Sequence, residues 1–391
     1  YISMHVNHEN HVELHNRYSF LNLTDFVLNY TIIKDGKKIA GEEFGLPDAK
    51  PGERRSVFIP FKRHITDDAE YYLNLEVKLK DNTVWANAGH IVATEQCLLQ
   101  TGKSLWNSIE TGNDFSVIED RPYVRFRNTG VEVSFNSHTG TMTGLRYNGK
   151  NMLHQQEGFA FNWYRFINND PRSWQPSTTE LQEFNWNLSE DKKTASIHVK
   201  LETTVGKVKV PHTLIYNIHG NGAIDITASF QTTDNFDLPR LSLQASLNPA
   251  LEKIQWYGRG PIENYVDRKN AAYVGLYQST VTDMEEAYVR SQSMGGRTDT
   301  QWLTLTDNTG QGLRITAKNK VDFSALHFTD KDLFTVKYGH DLDNFRRSEV
   351  VLNLDCAQRG LGNASCGPGP RPQYEIGKGK EYTFTFRVEK E

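Results

Sequence analysis

Thirteen residues in the middle of the chain gather the side-chain types that contact with a sugar requires. Residues 256–268 read Trp-Tyr-Gly-Arg-Gly-Pro-Ile-Glu-Asn-Tyr-Val-Asp-Arg. Flat aromatic rings pack against the C–H groups of a pyranose, while amide, carboxylate and guanidinium groups bond its hydroxyls. The alternative is a well-bonded turn that follows a strand ending at residues 256–257, because the glycines and the proline favour a sharp change of direction.

Two carboxylates in this stretch form the obvious candidate pair for acid–base chemistry. Glycoside hydrolysis needs two carboxyl groups that flank the scissile bond, about 5 Å apart in retaining enzymes. Glu263 and Asp267 lie in one short loop, but Arg259 and Arg268 beside them favour the ionised form, which is wrong for a general acid. We therefore expect Arg259, Glu263, Asn264 and Arg268 to stabilise the loop rather than to catalyse.

Three further charged or titratable residues stand at strand-like positions downstream. Arg297 and Asp299 come directly before the strand pattern of residues 301–306, and a charge pair there is more often structural than catalytic. His327 closes an apolar run, so we expect a buried histidine with satisfied hydrogen bonds; a ligand or acid–base role is the alternative.

Two polar, irregular segments are candidates for contact with a ligand. Residues 165–174 crowd every type of hydrogen-bonding group between tryptophans, which suits either a sugar subsite or a capped loop. Residues 358–370 are rich in glycine and proline and predict an exposed loop that is able to enter a neighbouring active site. It is not a phosphate loop, because no Gly-Lys-Ser/Thr follows.

Composition bounds the class of protein. The 391 residues are 37% hydrophobic and 11% aromatic, with a formal net charge of -4 and no basic stripe, which argues against nucleic acid and anionic membranes as partners. No apolar run reaches about 18 residues. Three cysteines, Cys97, Cys356 and Cys366, predict neither a disulfide framework nor a zinc site. The start at Tyr1 suggests a piece of a longer protein and leaves its compartment, cytoplasmic or periplasmic, undetermined.

Period-2 alternation dominates the chain and predicts an all-β fold. Residues 72–80 alternate cleanly, and Asp35-Gly36 is typical of a hairpin turn. We predict an immunoglobulin-like sandwich over residues 1–95, a linker over 96–114, and a large two-sheet structure over 115–391. Residues 178–185 and 283–294 are the only helical candidates.

Taken in order, these motifs resemble the C-terminal small-chain domain of glycoside hydrolase family 2 β-galactosidases. The stretches that carry the resemblance are 256–268, 297–299 (Arg-Thr-Asp), 323–327 (Phe-Ser-Ala-Leu-His), 352–355 (Leu-Asn-Leu-Asp) and 360–368. Upstream, residues 17–26 and 88–96 resemble the sandwich domain that precedes it. The resemblance covers nearly the whole chain.

The resemblance implies a galactose-mutarotase-like supersandwich from about residue 115 onward, and a chain without catalytic machinery. In that family the catalytic glutamates and a magnesium ion belong to a (β/α)8 barrel, which needs about 250 residues of alternating strand and helix that this sequence lacks. We therefore predict a non-catalytic part of an enzyme that hydrolyses terminal β-D-galactosides, with no cofactor of its own. Its expected partners are a β-galactoside, the catalytic barrel and further copies of the full-length enzyme.

The resemblance also implies which residues contact substrate. The loop around Cys366 reaches the mouth of the active site, so substrate-binding roles are expected for two groups of residues, Asn363, Ser365 and Cys366 in this loop and Arg165, Asn169 and Asp170 upstream. Several relatives carry a tryptophan platform where Cys366 stands, which predicts a different aglycone preference.

Two other functions stay open on the sequence. A mutarotase-like aldose epimerase would use His327 with Glu263 or a nearby carboxylate as acid and base. A carbohydrate-binding or scaffold module would only bind sugar or assemble.

Overall fold

A computed structural model describes residues 1–7, 9–110, 112–167, 174–363 and 367–391. Throughout these ranges antiparallel strands dominate, which confirms the all-β prediction. The chain divides into two compact units, Tyr1–Lys103 and Ser104–Glu391.

The first unit contains two antiparallel sheets around one hydrophobic core. Its strands are β1 Ile2–Val6, β2 His11–Asn16, β3 Phe26–Lys34, β4 Lys37–Gly45, β5 Arg54–Phe58, β6 Tyr71–Leu79 and β7 Ile91–Gln100. The sheet orders are β1-β2-β5 and β4-β3-β6-β7. The hairpin predicted at Asp35-Gly36 joins β3 to β4, and both residues adopt the positive φ that a two-residue turn requires.

The alternation in β6 places its leucines and valine in the core, where each is at most 4% exposed. Its neighbour β7 pairs with it from Ile91 to Gln100, so regular structure continues beyond residue 95. The predicted linker of 96–114 therefore begins inside a strand. The reason is that β7 lies at the edge of its sheet and has no fully buried position, so its sequence lacks a clear alternation.

The second unit is built on a five-stranded sheet and a twelve-stranded sheet. The smaller sheet contains β8 Ser116–Asp120, β9 Tyr123–Arg127, β10 Val131–Asn136, β11 Thr141–Tyr147 and β12 Lys150–Asn151. The larger contains β13 Ala160–Asn162, β14 Ser177–Leu188, β15 Thr194–Val205, β16 Val208–His219, β17 Ile224–Gln231, β18 Arg240–Leu247, β19 Lys253–Gly260, β20 Tyr273–Thr280, β21 Arg297–Thr306, β22 Gly312–Leu326, β23 Val350–Gln358 and β24 Glu381–Lys390.

The larger sheet follows the order β13-β18-β23-β22-β24-β17-β16-β15-β14, and β21, β19 and β20 branch from β22. Strand β23 is buried along most of its length because it pairs with β18 on one side and β22 on the other. One hydrophobic core connects both sheets of this unit.

Helical structure is sparse within the described ranges. The α-helix α1, Asp330–Thr335, begins at a capping box in which Thr329 and Asp332 exchange side-chain and backbone hydrogen bonds. The 3-10 helices are Leu23–Asp25, Phe61–His64, Thr282–Met284, Gly339–Phe345 and Pro372–Tyr374. None of the helices seen in these ranges has the length and apolar character needed to span a membrane.

Both helical candidates from the sequence are wrong. Residues 178–185 lie in β14, because pairing with β15 along the sheet outweighs local preference. Residues 283–294 contain only the end of the 3-10 helix Thr282–Met284, followed by irregular chain.

Candidate functional site

The central motif enters its turn later than the sequence predicts. Strand β19 continues through both glycines to Gly260, whereas the prediction ended it at Tyr257. A β-carbon at Gly258 would lie 2.6 Å from the Thr300 hydroxyl of β21. Glycine is therefore needed at 258 for the close approach of two strands, and the turn itself begins at Pro261. We call residues 261–268 the turn loop.

Glu263 is the centre of the turn loop. It is 9% exposed, and its carboxylate accepts hydrogen bonds from the Arg268 guanidinium at 2.6 Å, the Tyr265 hydroxyl at 3.1 Å and the Gly295 amide at 3.1 Å. The Tyr288 hydroxyl donates a fourth bond. A carboxylate with this many donors is held in one orientation.

The two tyrosines around Glu263 remain hydrogen-bond donors across the neutral pH range. Burial raises the pKa of Tyr265 well above its ordinary value, and the Glu263 carboxylate adds to the effect. Burial and the bond to Glu263 also raise the pKa of Tyr288. The Arg268 guanidinium lies 5.4 Å from the centre of the Tyr265 ring and so covers one of its faces.

Asn264 ties the turn loop to β21, and Arg297 in β21 packs against Trp256 of β19. The Asn264 side-chain oxygen accepts from the Thr298 amide at 2.9 Å and the Thr298 hydroxyl at 2.6 Å. Arg297 is 4% exposed, donates to the Gly296 carbonyl at 3.1 Å, and lies 5.4 Å from the centre of the Trp256 ring. Burial lowers the pKa of Arg297 from its usual value. Both residues are in positions that hold the site together.

Arg259 bonds a different partner from the one that its place in the motif suggests. Its Nε lies 2.5 Å from Asp299, and a second guanidinium nitrogen donates to the Ala272 carbonyl at 2.8 Å. Lys269 also contacts Asp299, at 3.0 Å. Burial raises the pKa of Asp299, but the bonds from Arg259 and Lys269 outweigh it and hold that pKa below its usual range. Arg259 thus fixes the base of the turn, apart from Glu263.

Asp267 joins the turn loop to a segment almost a hundred residues later. Its two carboxylate oxygens accept from the Leu361 amide at 2.9 Å and the Gly362 amide at 2.8 Å. A β-carbon at Gly360 would lie 2.7 Å from the same carboxylate, so the approach requires glycine. We call residues 359–363 together with 367–371 the C-terminal loop. Asp267 is its anchor.

Arg165 supports the C-terminal loop from below. It is 2% exposed and donates to the Gln358 side chain at 3.1 Å and the Gly360 carbonyl at 3.3 Å. A residue this deeply buried positions the loop and has no open path to a ligand. Asn363 closes the loop through a backbone bond from its amide to the Pro368 carbonyl at 2.9 Å.

The turn loop and the C-terminal loop enclose a cavity of about 860 Å³, which we call the turn cavity. Its lining includes the side chains of Tyr265, Asp267, Arg268, Tyr288, Gln292, Asn363, Arg371 and Tyr374. The space suits a mono- or disaccharide.

Sequence reasoning missed four of these residues, Tyr288, Gln292, Arg371 and Tyr374. They come from separate segments, and nothing in their local pattern indicates that they converge.

Four of the predicted substrate-binding residues, Asn169, Asp170, Ser365 and Cys366, lie outside the described residues. Of the other two, Asn363 lines the turn cavity and Arg165 lies buried beneath the C-terminal loop.

His327 lies away from the turn cavity, with both ring nitrogens engaged. One contacts the Glu349 carbonyl at 3.0 Å and the other the Glu252 carboxylate at 2.9 Å, and the residue is 7% exposed. No hydrogen bond or ion pair connects it to Glu263 in the described part of the chain. This geometry does not support an acid–base pair of the two.

The described residues hold no cluster of three or more His, Cys, Asp or Glu side chains that is arranged to bind a metal ion. The expectation that the family magnesium belongs to a catalytic barrel stays a prediction.

This fold defines an all-β module, and comparison with known proteins identifies its family. The model of the family described as "Beta galactosidase small chain" matches residues 127–388, and that of "Beta-galactosidase, domain 4" matches residues 12–100. The first match alone covers about two thirds of the chain, so the chain belongs to the β-galactosidase small-chain family. The predicted resemblance is confirmed. Assignment to glycoside hydrolase family 2 stays a prediction.

Individual relatives agree with this family. The chain is 25% identical over 388 residues to a β-galactosidase from Priestia megaterium, covering 95% of this chain and 37% of that protein. It is 27% identical over 395 residues to a β-galactosidase from Kluyveromyces lactis, covering 96% of this chain and 36% of that protein. The chain thus spans little more than a third of the length of the relatives that it matches.

Among solved structures, a putative aldose 1-epimerase from Escherichia coli matches 71% of this chain and 99% of its own, at 10% identity and a TM-score of 0.39. A likeness this low carries no argument about activity.

Proposed function

We propose that this chain is a non-catalytic part of a β-galactosidase and that its turn cavity receives the sugar attached to the galactose. The observation that carries the proposal is that the turn cavity is rich in hydrogen-bond donors, whereas the carboxylates beside it are fully occupied.

The carboxylates do not suit catalysis. A general acid needs a proton to deliver, and a nucleophile needs a free oxygen aimed at the substrate. Glu263 accepts from four donors, and both oxygens of Asp267 accept backbone amides. Using either group would break the bonds that hold the two loops together.

The polar side chains that line the turn cavity suit recognition of hydroxyl groups. Tyr288 and Tyr374 present phenol rings, and Gln292 and Asn363 present amides that both donate and accept. Arg371 adds an exposed guanidinium. These groups bind and orient a sugar but supply no residue to break a glycosidic bond.

In this proposal the catalytic barrel of the same enzyme is the partner of the chain. The barrel carries the acid–base and nucleophile residues and the family magnesium, and the turn cavity contributes to the aglycone side of the site. The small share of each relative that this chain spans supports such a division.

The test is a complementation assay with a chromogenic β-galactoside. We expect no hydrolysis by the 391-residue chain alone, weak or no hydrolysis by a separately expressed catalytic barrel portion, and clear turnover when the two are mixed. Turnover by the chain alone would overturn the proposal, as would a barrel portion whose activity is unchanged by the chain.

A further inference from the structure

The larger unit contains a second cavity, of about 480 Å³, which shares no lining residue with the turn cavity. The side chains that matter for the argument are Glu157, Phe161, Asn162, Trp174, Gln244 and Lys331. We call this space the second cavity. Its volume lies within the range of small-molecule sites.

Two aromatic side chains give the second cavity rigid apolar faces. Phe161 belongs to the edge strand β13, is half-buried, and packs at 5.1 Å between ring centres against both His212 and Phe230. Trp174 is also half-buried, and the Lys331 ammonium lies 4.3 Å from its ring centre. Lysine is long and flexible, so a sugar ring can replace it at the indole face while the ammonium moves to a hydroxyl.

Two amide side chains, Asn162 and Gln244, give the second cavity oriented polar groups. The Asn162 amide nitrogen donates to Asn353 at 2.9 Å and to Asp330 at 3.2 Å, and the Gln244 amide nitrogen donates to Asn353 at 3.0 Å. These bonds fix the direction of both amides. The Gln244 side-chain oxygen accepts no bond from the described residues, so it is a pre-oriented acceptor.

The charges around the second cavity balance. Asp330 is paired with Arg240 at 2.7 Å, and Arg347 is paired with two acidic neighbours. Two charged groups that line the cavity form no ion pair with the described residues. They are the Glu157 carboxylate, which accepts from Ser246 at 2.6 Å, and the Lys331 ammonium. With one charge of each sign, the cavity favours a neutral ligand over an anion or a cation.

We propose that the second cavity is a binding site for a neutral pyranose, separate from the turn cavity. Half-buried aromatic rings, a fixed amide acceptor and balanced charge are together the features that such a ligand requires. The inference does not depend on the proposed function, since it concerns a different set of residues.

The test is calorimetric titration of the 391-residue chain with galactose, lactose and glucose at millimolar concentrations. We expect binding of at least one of these sugars. Trp174→Ala and Gln244→Ala should each weaken it about five- to tenfold, which is the effect of one lost contact. Asp343→Asn, whose side chain is 83% exposed and lines neither cavity, is the control and should leave that affinity unchanged. Circular dichroism checks that every variant is folded.

A second readout locates the sugar. Its binding should change tryptophan fluorescence in the wild-type chain, and Trp174→Phe should abolish that change while retaining an aromatic ring. Absence of binding by the folded wild-type chain would overturn the proposal. Binding that is lost in Arg371→Ala but kept in both Trp174→Ala and Gln244→Ala would also overturn it, since the sugar would then occupy the turn cavity.

Discussion

At the scale of single residues, Glu263 shows how an apparent catalyst becomes a structural group. A carboxylate beside two tyrosines and an arginine looks like an active site in the sequence. In the structure Tyr265 and Arg268 of the motif donate to it, and so does Tyr288 from a later segment. The role is set by where the donors point, and sequence spacing does not reveal that direction.

Glu263→Gln tests this role. Glutamine keeps the size of the side chain but removes the charge and turns an amide nitrogen toward groups that are themselves donors. We expect the free energy of unfolding to fall by about 1–3 kcal/mol in urea denaturation. In the complementation assay, turnover per folded molecule should remain close to wild type.

Asp343→Asn is the control for that change, because the Asp343 side chain is 83% exposed. We expect it to alter the free energy of unfolding by no more than about 0.5 kcal/mol. A collapse of turnover in Glu263→Gln without loss of stability would show that Glu263 takes part in catalysis.

Asp322 makes the stability of the larger unit depend on pH. Burial of its carboxyl group, with the nearby charges of Asp355 and Asp299, raises the pKa of Asp322 to about 7. The ordinary pKa in an unfolded chain is about 3.9. The folded form therefore holds a proton that the unfolded form releases, so this contribution is complete below about pH 4 and is lost as the pH rises to 7.

Asp322→Asn isolates that contribution, because asparagine keeps an oxygen for the Asp299 amide, which donates to Asp322 at 3.0 Å. Between pH 5 and pH 8 we expect the free energy of unfolding to fall by about 1–2 kcal/mol more in the wild type than in the variant. Partial contact of Asp322 with solvent keeps the effect this small. Urea denaturation at both pH values measures the difference. Equal losses in the two proteins would contradict the assignment.

At the scale of elements, alternation alone predicts much of the fold. Strands β6, β15 and β17 follow the period-2 rule because each has one buried face. The rule fails where burial does not alternate. Edge strand β7 has no fully buried position, and β14 is predicted as helix because its pairing with β15 is a long-range contact.

The residues of the candidate site also separate into those that the sequence predicts and those that it does not. The bond between Glu263 and Arg268 joins residues five positions apart, so the motif predicts that they lie together. Tyr288, Arg371 and Tyr374 reach the turn cavity from other segments. Their convergence depends on the packing of the whole larger unit, and no local pattern encodes it.

The bond between Asp267 and the C-terminal loop is the element-scale feature most open to test. Asp267→Asn leaves one acceptor oxygen and places an amide nitrogen opposite a backbone N–H. Gly360→Ala adds a methyl group 2.7 Å from the same carboxylate. We expect both changes to loosen the C-terminal loop and to raise its rate of limited proteolysis about tenfold, with global unfolding changed by about 1 kcal/mol or less.

Gly369→Ala is a suitable control, since a β-carbon there meets no atom within 4 Å. Cleavage rates in Asp267→Asn and Gly360→Ala that match this control would show that the anchor does not hold the loop.

At the scale of the whole molecule, two loops from distant parts of the chain form one cavity, while the carboxylates beside them are used to hold those loops. This arrangement fits an enzyme in which one part binds the substrate and another part carries out the reaction. Loss of a contact on the aglycone side should then affect two substrates differently if their leaving groups differ. A disaccharide and an aryl galactoside differ only in that group.

Arg371→Ala in the complemented enzyme tests this division. The Arg371 side chain is exposed, lines the turn cavity and forms no ion pair with the described residues, so its removal should not destabilise the fold. We expect KM for lactose to rise about three- to tenfold, as for one lost hydrogen bond to a charged group. For a nitrophenyl galactoside, whose leaving group lacks sugar hydroxyls, KM should change less than about twofold, with kcat kept for both substrates. Equal effects on the two substrates, or a fall in kcat alone, would place Arg371 away from the aglycone and contradict the proposed role of the turn cavity.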